Sequence, residues 1–469
     1  MGDPRAAAAA VRAGTGMVDI TPQAGVHLAG GVGRLRPAQT VLDPLYAKAI
    51  VFEAGGRKIC LVSLDVTIIT QEYSDRIRRE SARRYGLDER AIMVHATQTH
   101  SAPPLGYFMF DPDFPPVPPE MEWLLGGQKA YGDFAAERAV EAVGQAMATE
   151  PVQIGAASGV RDGLAFNRRG VMRDGKVCMP WMYSSLDKPL GPTHIRYLEG
   201  PTDPEVGVMC VRDEQMRMRA LLLHFTCHPV NIYAQPGLAV SADWPGAWSA
   251  EMRAAHGASC VPLVVNGCCG NINPWPAFEA DFHPDHRRMG RALAAVSEKV
   301  LRAVGFSDRA VIDCRLERVP IPLKTVDPAR IQAAKEILGK NPQPPWSRTQ
   351  PDQIEWDWVR AASLVSIEYA RRRSPVVEYE IQVFRIGDLA LVGLPGEPFV
   401  EGQLAIKIGS PAAQTYVAHC CSQYVGYVPT REAFARGGHE VDPSYWAKLA
   451  PEALGMIVDK AVAMTRELF

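Results

Sequence analysis

Met93-Val-His-Ala-Thr-Gln-Thr-His-Ser101 is an apolar run that ends in residues able to bind a metal or move a proton. Two later stretches share this plan, Leu221-Leu-Leu-His-Phe-Thr-Cys-His-Pro229 and Leu389-Ala-Leu-Val-Gly-Leu-Pro-Gly-Glu397. A fourth, Gln423-Tyr-Val-Gly-Tyr-Val-Pro-Thr430, adds phenols. In α/β enzymes the strand ends converge on one crevice while the strand bodies stay buried. The four stretches therefore predict one site at the ends of buried strands.

The predicted fold class is α/β, with a mixed β-sheet core flanked by helices. The predicted strands are Ala47–Glu53, Ile59–Asp65, Ile92–Ala96, Gly207–Val211, Ala220–Thr226, Val261–Val265, Glu378–Ile386, Leu389–Gly393 and Gln414–Ala418. The predicted helices are Gln128–Thr149, Trp248–His256, His286–Val304 and Pro451–Arg466. Apolar residues recur at every second position from Val377 to Val383, which predicts a strand with one exposed face.

The candidate site residues extend from position 98 to position 439, and no linker divides them. We therefore expect residues 15–469 to form a single domain, preceded by a disordered leader over the alanine-rich residues 1–14. Two stretches rich in proline and aromatic residues, Pro103–Trp123 and Gly339–Trp358, fit neither helix nor strand. Long connections of this kind are usually functional loops or linkers, and their aromatic content favours ordered loops that roof a pocket.

Composition excludes several classes of function. The 469 residues carry a formal net charge of -2, with 47% hydrophobic and 22% charged residues, so nothing indicates a nucleic-acid or anionic-membrane partner. No run of about 20 apolar residues is present, which predicts the absence of a membrane span. The ten cysteines match neither a disulfide framework nor a structural zinc motif, and we expect reduced, buried thiols. The sequence predicts a small-molecule substrate and a cytoplasmic location, or a secreted one if a signal peptide has been removed from the chain.

His100, His228 and Glu397 each close an apolar run. Zinc accepts imidazole nitrogen and carboxylate oxygen, and a catalytic zinc site keeps one position for water. The residue types at these positions therefore indicate a metal-dependent hydrolase.

The same residues carry a resemblance to the neutral ceramidase family. It begins at Gly16-Met-Val-Asp-Ile-Thr-Pro22 and extends to about Glu440. Between these limits lie Asp43-Pro-Leu-Tyr46, Asn167-Arg168, Ser241-Ala-Asp-Trp-Pro-Gly246, Gly267-Cys-Cys-Gly-Asn-Ile-Asn-Pro274, Gly396-Glu397 and Tyr424-Val-Gly-Tyr427. The chain resembles the N-terminal catalytic domain of a divergent member, and we expect it to lack the C-terminal immunoglobulin-like domain of longer members.

The resemblance implies roles for particular residues. In the family two histidines, a glutamate and a tyrosine hold a zinc ion, which makes His228, Glu397 and Tyr427 the matching metal ligands here. The position of the first histidine ligand is Gln98, and His100 matches the histidine that stabilises the oxyanion. Arg168 matches an arginine near the substrate carbonyl. A glutamine oxygen is a weak zinc ligand that suits calcium, magnesium or manganese better, so a harder divalent metal is an alternative to Zn²⁺.

Two further departures from the family pattern accompany Gln98. His439 stands where the family has a second tyrosine, and Asn273 replaces a serine associated with catalysis. Three outcomes are compatible with these exchanges: His100 or His439 takes the vacant ligand position, Gln98 binds a harder metal, or the metal is lost. We favour the first, because one imidazole is absent at 98 and another is present at 439.

The expected reaction is hydrolysis of an amide or ester bond by metal-activated water, on a substrate smaller than ceramide. Arg168, with His100 or His439, is expected to stabilise the oxyanion, and Asn273 to take the position of the family serine. Alternatives are cleavage of a lactone or glycoside on the same scaffold, or a metal-free binding protein. We also expect Asp65 or Asp243 to orient a ligand histidine, or to cap a helix.

Overall fold

The computed structural model describes residues 7–179, 195–233, 235–279 and 282–469. Its centre is an eight-stranded mixed sheet. In spatial order the strands are Val261–Asn266, Met218–Phe225, Glu205–Asp213, Glu150–Val160, Arg12–Asp19, Tyr46–Ala54, Arg57–Leu64 and Ile92–Ala96. The outermost pair at each edge is parallel and the other neighbours are antiparallel.

A second sheet has four strands. In spatial order they are Ile312–Pro322, Val376–Ile386, Leu389–Gly393 and Gln414–Ala418, of which the last two are parallel. Shorter strands form local pairs or a small three-stranded sheet: Ala9–Ala10, Thr40–Val41, Phe166–Asn167, Gly170–Met172, Val177–Cys178, Ile195–Leu198, Ala239–Val240, Ile272–Asn273, Arg309–Ala310, Glu397–Pro398 and Tyr427–Val428.

Helices flank the two sheets. They are Gln71–Tyr85, Lys129–Ala146, Asp243–His256, His286–Leu301, Pro328–Lys340, Trp356–Arg373, Val400–Gly409, Ala433–Arg436 and Ala453–Leu468, with 3₁₀ turns at Glu89–Ala91 and Pro119–Leu125. None of the described helices has the length and apolar character that crossing a membrane requires.

Successive side chains of a strand point to opposite faces of the sheet, so one face packs against the second sheet and the other against helices. In strand Arg57–Leu64, Ile59 and Leu61 pack between the sheets against Phe384 and Leu391. Their neighbours Cys60 and Val62 face the helix Lys129–Ala146 on the other side. Because both faces are covered, the strand is apolar at nearly every position. The predicted α/β class with a mixed sheet core and flanking helices is confirmed.

The prediction of a disordered leader through residue 14 is wrong for residues 9–14. Ala9–Ala10 pairs with Arg309–Ala310, and the strand Arg12–Asp19 pairs with Tyr46–Ala54. Val11 and Ala13 are buried in the core between the sheets, and small side chains suit this contact. Residues 1–6 lie outside the described residues, and the single domain over 15–469 stays a prediction.

The strand Val376–Ile386 does not have the predicted exposed face. Glu380 and Gln382 are buried on that face, where the Arg78 guanidinium donates to both over 2.6 Å and 3.1 Å. Arg78 belongs to the helix Gln71–Tyr85, which was not predicted because its sequence is largely polar. A buried polar layer thus gives the strand the alternation of a half-exposed one.

All ten cysteines are free, and nine are buried with Cys314 partly exposed. This agrees with the expected reduced thiols, and it follows from their positions inside apolar strands and turns.

Candidate active site

The site lies where the two sheets meet at the carboxyl ends of their parallel strands. Gln98 and His100 follow the strand Ile92–Ala96, and Glu397 follows Leu389–Gly393. A hydrogen bond connects the two sheets here, since the Ala96 amide donates to the Cys420 carbonyl over 3.2 Å. One pocket is consequently lined by Gln98, His100, Glu397, Tyr424, Tyr427 and His439, together with apolar residues.

His228 and Glu397 form a facing pair at this pocket. The Nδ1 atom of His228 lies 2.6 Å from the Cys269 carbonyl oxygen and 3.1 Å from that of Ile272. Carbonyl oxygens only accept, so Nδ1 carries the hydrogen. The opposite nitrogen, Nε2, lies 3.1 Å from Oε2 of Glu397. When the His228 ring is neutral, its Nε2 atom and Oε2 of Glu397 both present lone pairs to each other. A cation or a proton is therefore required between these two atoms.

Glu397 is held in its ionised form. Its burial favours the neutral acid, but the hydrogen bond and charge of His228 oppose this and keep the Glu397 pKa well below its usual range. The hydroxyl of Tyr424 also donates to Oε1 over 2.7 Å. Burial, followed by the negative charge of Glu397, raises the pKa of Tyr424 well above its ordinary value. Tyr424 therefore remains a hydrogen-bond donor at neutral pH.

His100 packs edge-on against His228, with ring centroids 5.4 Å apart. Gly30 lies directly behind it with φ of +96°, and a Cβ atom there would come within 2.4 Å of His100 Nδ1. The glycine is thus required by the close approach of the imidazole. Burial, and then the charge of His228, keeps the pKa of His100 well below its ordinary value, so His100 is neutral at neutral pH.

Gln98 adopts a backbone φ of 70°, in the left-handed region that a non-glycine residue enters only when its surroundings impose it. The Gln98 amide donates to the Val66 carbonyl over 3.0 Å, which fixes the backbone. The side-chain oxygen accepts from the Cys269 thiol over 3.4 Å. Gln98 is therefore oriented by a cysteine whose own carbonyl anchors His228.

Arg168 is a buried cation held by Glu440, Asn273 and Tyr427. Its Nε donates to Glu440 over 2.8 Å, and its Nη1 to the side-chain oxygen of Asn273 over 3.4 Å. The guanidinium lies 5.3 Å from the centre of the Tyr427 ring. Among the described residues its Nη2 has no hydrogen-bond partner. Burial lowers the Arg168 pKa, but Tyr427 and Glu440 more than compensate, and the net shift is upward.

Tyr427 and His439 border the pocket on the side of Arg168. Their rings are 5.5 Å apart, and the imidazole stacks on Trp446 at 6.0 Å. Burial, and then the charge of Glu397, raises the Tyr427 pKa above its ordinary value, while burial lowers that of His439. Asn273 accepts a hydrogen bond from Arg168 and so lies on the same side of the pocket. The predicted site residues are therefore all located in one region of the structure.

The predicted histidine-rich metal site stays a prediction. Within the described part of the chain, no three His, Cys, Asp or Glu side chains converge closely enough to hold a metal ion. The replacement of the ligand missing at Gln98 by His100 or His439 stays a prediction. In this structure His100 packs against His228 through its ring, and His439 stacks on Trp446. The residues do fit a cation at the His228–Glu397 pair, where two lone pairs face each other.

The pocket has the predicted aromatic roof. Phe108, Met109 and Trp123 of the first irregular stretch line it. Trp123 stacks on Trp346 of the second stretch, with ring centroids 5.7 Å apart. Trp358, the last residue of the second stretch, belongs to the same apolar cluster. Such a roof limits the access of water to the polar residues below.

Other parts of the site were missed or misassigned. The segment Ala29–Gly33 lines the pocket, and its three glycines were the available signal. Asp65 pairs with Lys48, and Asp243 binds Asn231 and backbone amides, so neither orients a histidine. Two backbone carbonyls orient His228 instead. They belong to Cys269 and Ile272 in the segment Gly267–Pro274.

Comparison with known proteins gives a structural match only. No protein-family model matches the sequence, and no curated protein matches it significantly. Among solved structures, the neutral ceramidase from Pseudomonas aeruginosa is similar, with a TM-score of 0.70, 19% identity, and coverage of 98% of this chain and 74% of the ceramidase. A ceramidase complexed with C2 gives a TM-score of 0.68, 19% identity, and coverage of 98% and 75%.

At this identity the likeness concerns the fold, and it spans nearly all of the chain. It agrees with the resemblance that the sequence motifs predict. The protein has the fold of the neutral ceramidases.

Proposed function

We propose that this protein is a hydrolase that cleaves an amide or ester bond in the pocket formed by His100, Glu397 and Tyr427. The observation that carries the proposal is the facing of His228 Nε2 and Glu397 Oε2 at 3.1 Å, beside a buried guanidinium with an unused donor. A cation site next to an anion-stabilising group is what hydrolysis of a carbonyl compound requires.

Each group of residues around the pocket has a separate role in the proposed reaction. The aromatic roof binds the apolar part of the substrate and excludes water. Arg168 is fixed by Glu440, and its free Nη2 donates to the oxygen that becomes negative as the carbonyl is attacked. His100 is neutral and buried beside His228, which suits the transfer of a proton to the leaving group. His439 lines the same pocket and is the second imidazole that contacts the substrate.

We propose zinc as the metal, with a harder divalent ion as the alternative, held by His228 and Glu397 and completed by Tyr427 or Gln98. When bound, such an ion supplies the activation of water and the polarisation of a carbonyl. Support comes from the hydrogen bonds that direct the Nε2 lone pair of His228 toward Glu397, since metal-binding histidines commonly donate their other nitrogen to a carbonyl.

We further propose a substrate smaller than ceramide. Phe108, Trp123 and Trp446 line the pocket together with the polar groups, and Trp346 stacks on Trp123. Ten free cysteines also support a cytoplasmic location, because reducing compartments keep thiols unpaired.

The test measures turnover of p-nitroanilides and p-nitrophenyl esters whose acyl chains range from two to sixteen carbons, together with metal content by mass spectrometry. We expect hydrolysis of short acyl compounds and about one zinc per chain. His228→Ala should lose the metal and at least about 100-fold in kcat/KM. His256→Ala is the matched control, since His256 pairs with Glu298 on the surface.

Hydrolysis that persists unchanged in His228→Ala would contradict the role of the facing pair. Turnover confined to the longest acyl chains would contradict the proposed substrate size. A protein without metal that hydrolyses none of the compounds, even after incubation with zinc, manganese or calcium, would reject the proposal as a whole.

A further inference from the structure

A second cavity is lined by the first residues of the strand Tyr46–Ala54 and by the helix Asp243–His256. Its volume is about 250 Å³, and none of its lining residues lines the candidate active site. A single water requires about 10–15 Å³ on the same measure, so the cavity has room for a small organic molecule.

The floor of this cavity is a buried ion pair. Lys48 Nζ lies 3.1 Å from Asp65 Oδ2, and the two side chains are only 2% and 1% exposed. Lys48 also donates to the Ser249 hydroxyl over 3.3 Å. Removing both charges from water costs several kcal/mol per ion, so further polar partners are needed to offset it.

One of those partners is missing. Oδ2 of Asp65 accepts from the Tyr46 amide over 3.1 Å in addition to its contact with Lys48. Oδ1 of the same carboxylate is buried without a hydrogen-bond partner among the described residues, although Asp65 lines the cavity. A carboxylate oxygen of this kind calls for a donor.

The charges around the cavity indicate the class of molecule. Three cations, Lys48, Arg253 and Arg287, are balanced by three anions, Asp43, Asp65 and Glu251. A free anion would meet Asp65 at the floor, and a free cation would meet Lys48. A hydroxyl group avoids both conflicts, because it accepts from the ammonium while it donates to the carboxylate. The Tyr46 ring at the cavity wall offers an apolar face to the carbon skeleton of such a molecule.

We propose that this second cavity binds a small neutral polyhydroxyl compound, of the monosaccharide or polyol class. Adjacent hydroxyls bridge Asp65 and Lys48, and the arginines and acids at the rim contact the outer hydroxyls. The site is independent of the proposed hydrolase activity, since the two pockets share no residue.

The position of the cavity also links it to the catalytic segment. Asp43 at its wall accepts from the Ser241 hydroxyl, and the Ser241 carbonyl accepts from the Thr99 hydroxyl over 2.7 Å. Thr99 lies between Gln98 and His100, so a molecule in the cavity is separated from the candidate active site by two hydrogen bonds.

The test is saturation-transfer NMR of the full chain with glucose, galactose, mannose and myo-inositol, and with phosphate and glycine as charged comparisons. We expect at least one neutral compound to bind. Ala250→Trp, which fills the mouth of the cavity from an exposed helix position, should weaken binding at least about 10-fold, equivalent to 1.4 kcal/mol. Ala255→Trp, exposed on the same helix away from the cavity, is the matched control.

Glu397→Gln distinguishes the two pockets, and binding should survive it. The proposal fails if no neutral compound binds, if only phosphate or glycine binds, if Ala250→Trp binds as well as the control, or if Glu397→Gln abolishes binding. A crystal of the wild-type protein soaked in the tightest-binding compound provides a readout that does not depend on the folding of a variant: density for the sugar is expected on Asp65 and Lys48, and ordered water alone would overturn the proposal.

Discussion

The hydroxyl of Tyr424 donates to Oε1 of Glu397 over 2.7 Å, while the other oxygen of the same carboxylate faces His228 at 3.1 Å. Tyr424 therefore sets the orientation of the carboxylate toward the imidazole. The phenol nearest to Glu397 is Tyr424, whereas Tyr427, the tyrosine implied as a ligand by sequence resemblance, contacts Arg168 and His439.

Tyr424→Phe removes the hydrogen bond that positions Glu397. A hydrogen bond to a charged group contributes about 1.5–3 kcal/mol, so we expect kcat to fall about 10- to 100-fold with a smaller change in KM. Steady-state kinetics on the best substrate of the acyl series measures this. Tyr107→Phe is the control, because Tyr107 donates to Glu122 at the surface. Equal kinetics in the two variants would argue against a positioning role.

Gln98→His should strengthen metal binding. A neutral imidazole is a better zinc ligand than an amide oxygen, and position 98 lines the pocket beside Glu397. We expect the zinc Kd, measured by competition with a chromogenic chelator, to fall at least about 10-fold. The same substitution in a His228→Ala background should give no such gain. An unchanged or weaker Kd in Gln98→His would show that the left-handed backbone at 98 directs the side chain away from the ion.

Glu440→Gln should destabilise the fold as well as the site. Glu440 is buried and accepts from Arg168 over 2.8 Å and from Arg169 over 2.7 Å. Removing its charge leaves the buried Arg168 without a carboxylate and Arg169 with Glu199 alone, and breaking a buried ion pair costs about 3–5 kcal/mol. Urea unfolding near pH 7 measures the loss. Glu80→Gln, whose partners Arg83 and Arg84 are on the surface, is the control and should unfold at nearly the same urea concentration as the wild type.

The same carboxylate gives a pH dependence of definite sign. Burial raises the Glu440 pKa, but the charges of Arg168 and Arg169 prevail and lower it to about 2 from 4.5. Its stabilising contribution is therefore present above pH 4.5 and is lost as pH falls toward 2. In Glu440→Gln this part of the acid sensitivity should be absent. Parallel acid-unfolding curves for the variant and the wild type would contradict the assignment.

Lys448→Met should flatten the alkaline side of the stability profile. Burial lowers the pKa of Lys448 to about 7 from 10.5, although the charge of Asp111 opposes the shift. Between these values the unfolded chain binds one more proton, so stability increases with pH. From pH 7.5 to 9 we expect the wild type to gain about 1–2 kcal/mol relative to the variant, measured by urea unfolding. Lys340→Met, at an exposed helix end, should follow the wild type.

The strands that flank the site were predictable because both their faces are apolar. Ile92–Ala96, Leu389–Gly393 and Gln414–Ala418 have the predicted bounds. A strand buried on both sides has no alternative environment in water, so its composition is distinctive. The strands Arg12–Asp19 and Glu150–Val160, which mix small, polar and charged residues, were not predicted.

The sequence by itself determined where the polar residues of the site leave the sheet, because the position at which an apolar run ends is a local property of the chain. It placed His100, His228 and Glu397 just beyond buried strands, and the cysteines among apolar neighbours. It also determined the resemblance to the neutral ceramidases.

Only the tertiary structure decided which of these groups touch. Cys269 meets Gln98 across 171 positions, Tyr424 replaces Tyr427 as the nearest phenol of Glu397, and Asp65 pairs with Lys48 rather than with a histidine. Side-chain contacts between distant segments depend on how the two sheets pack and on which carbonyls and thiols are exposed at their junction. Those packing distances are set by the whole core, and no local pattern of residues encodes them.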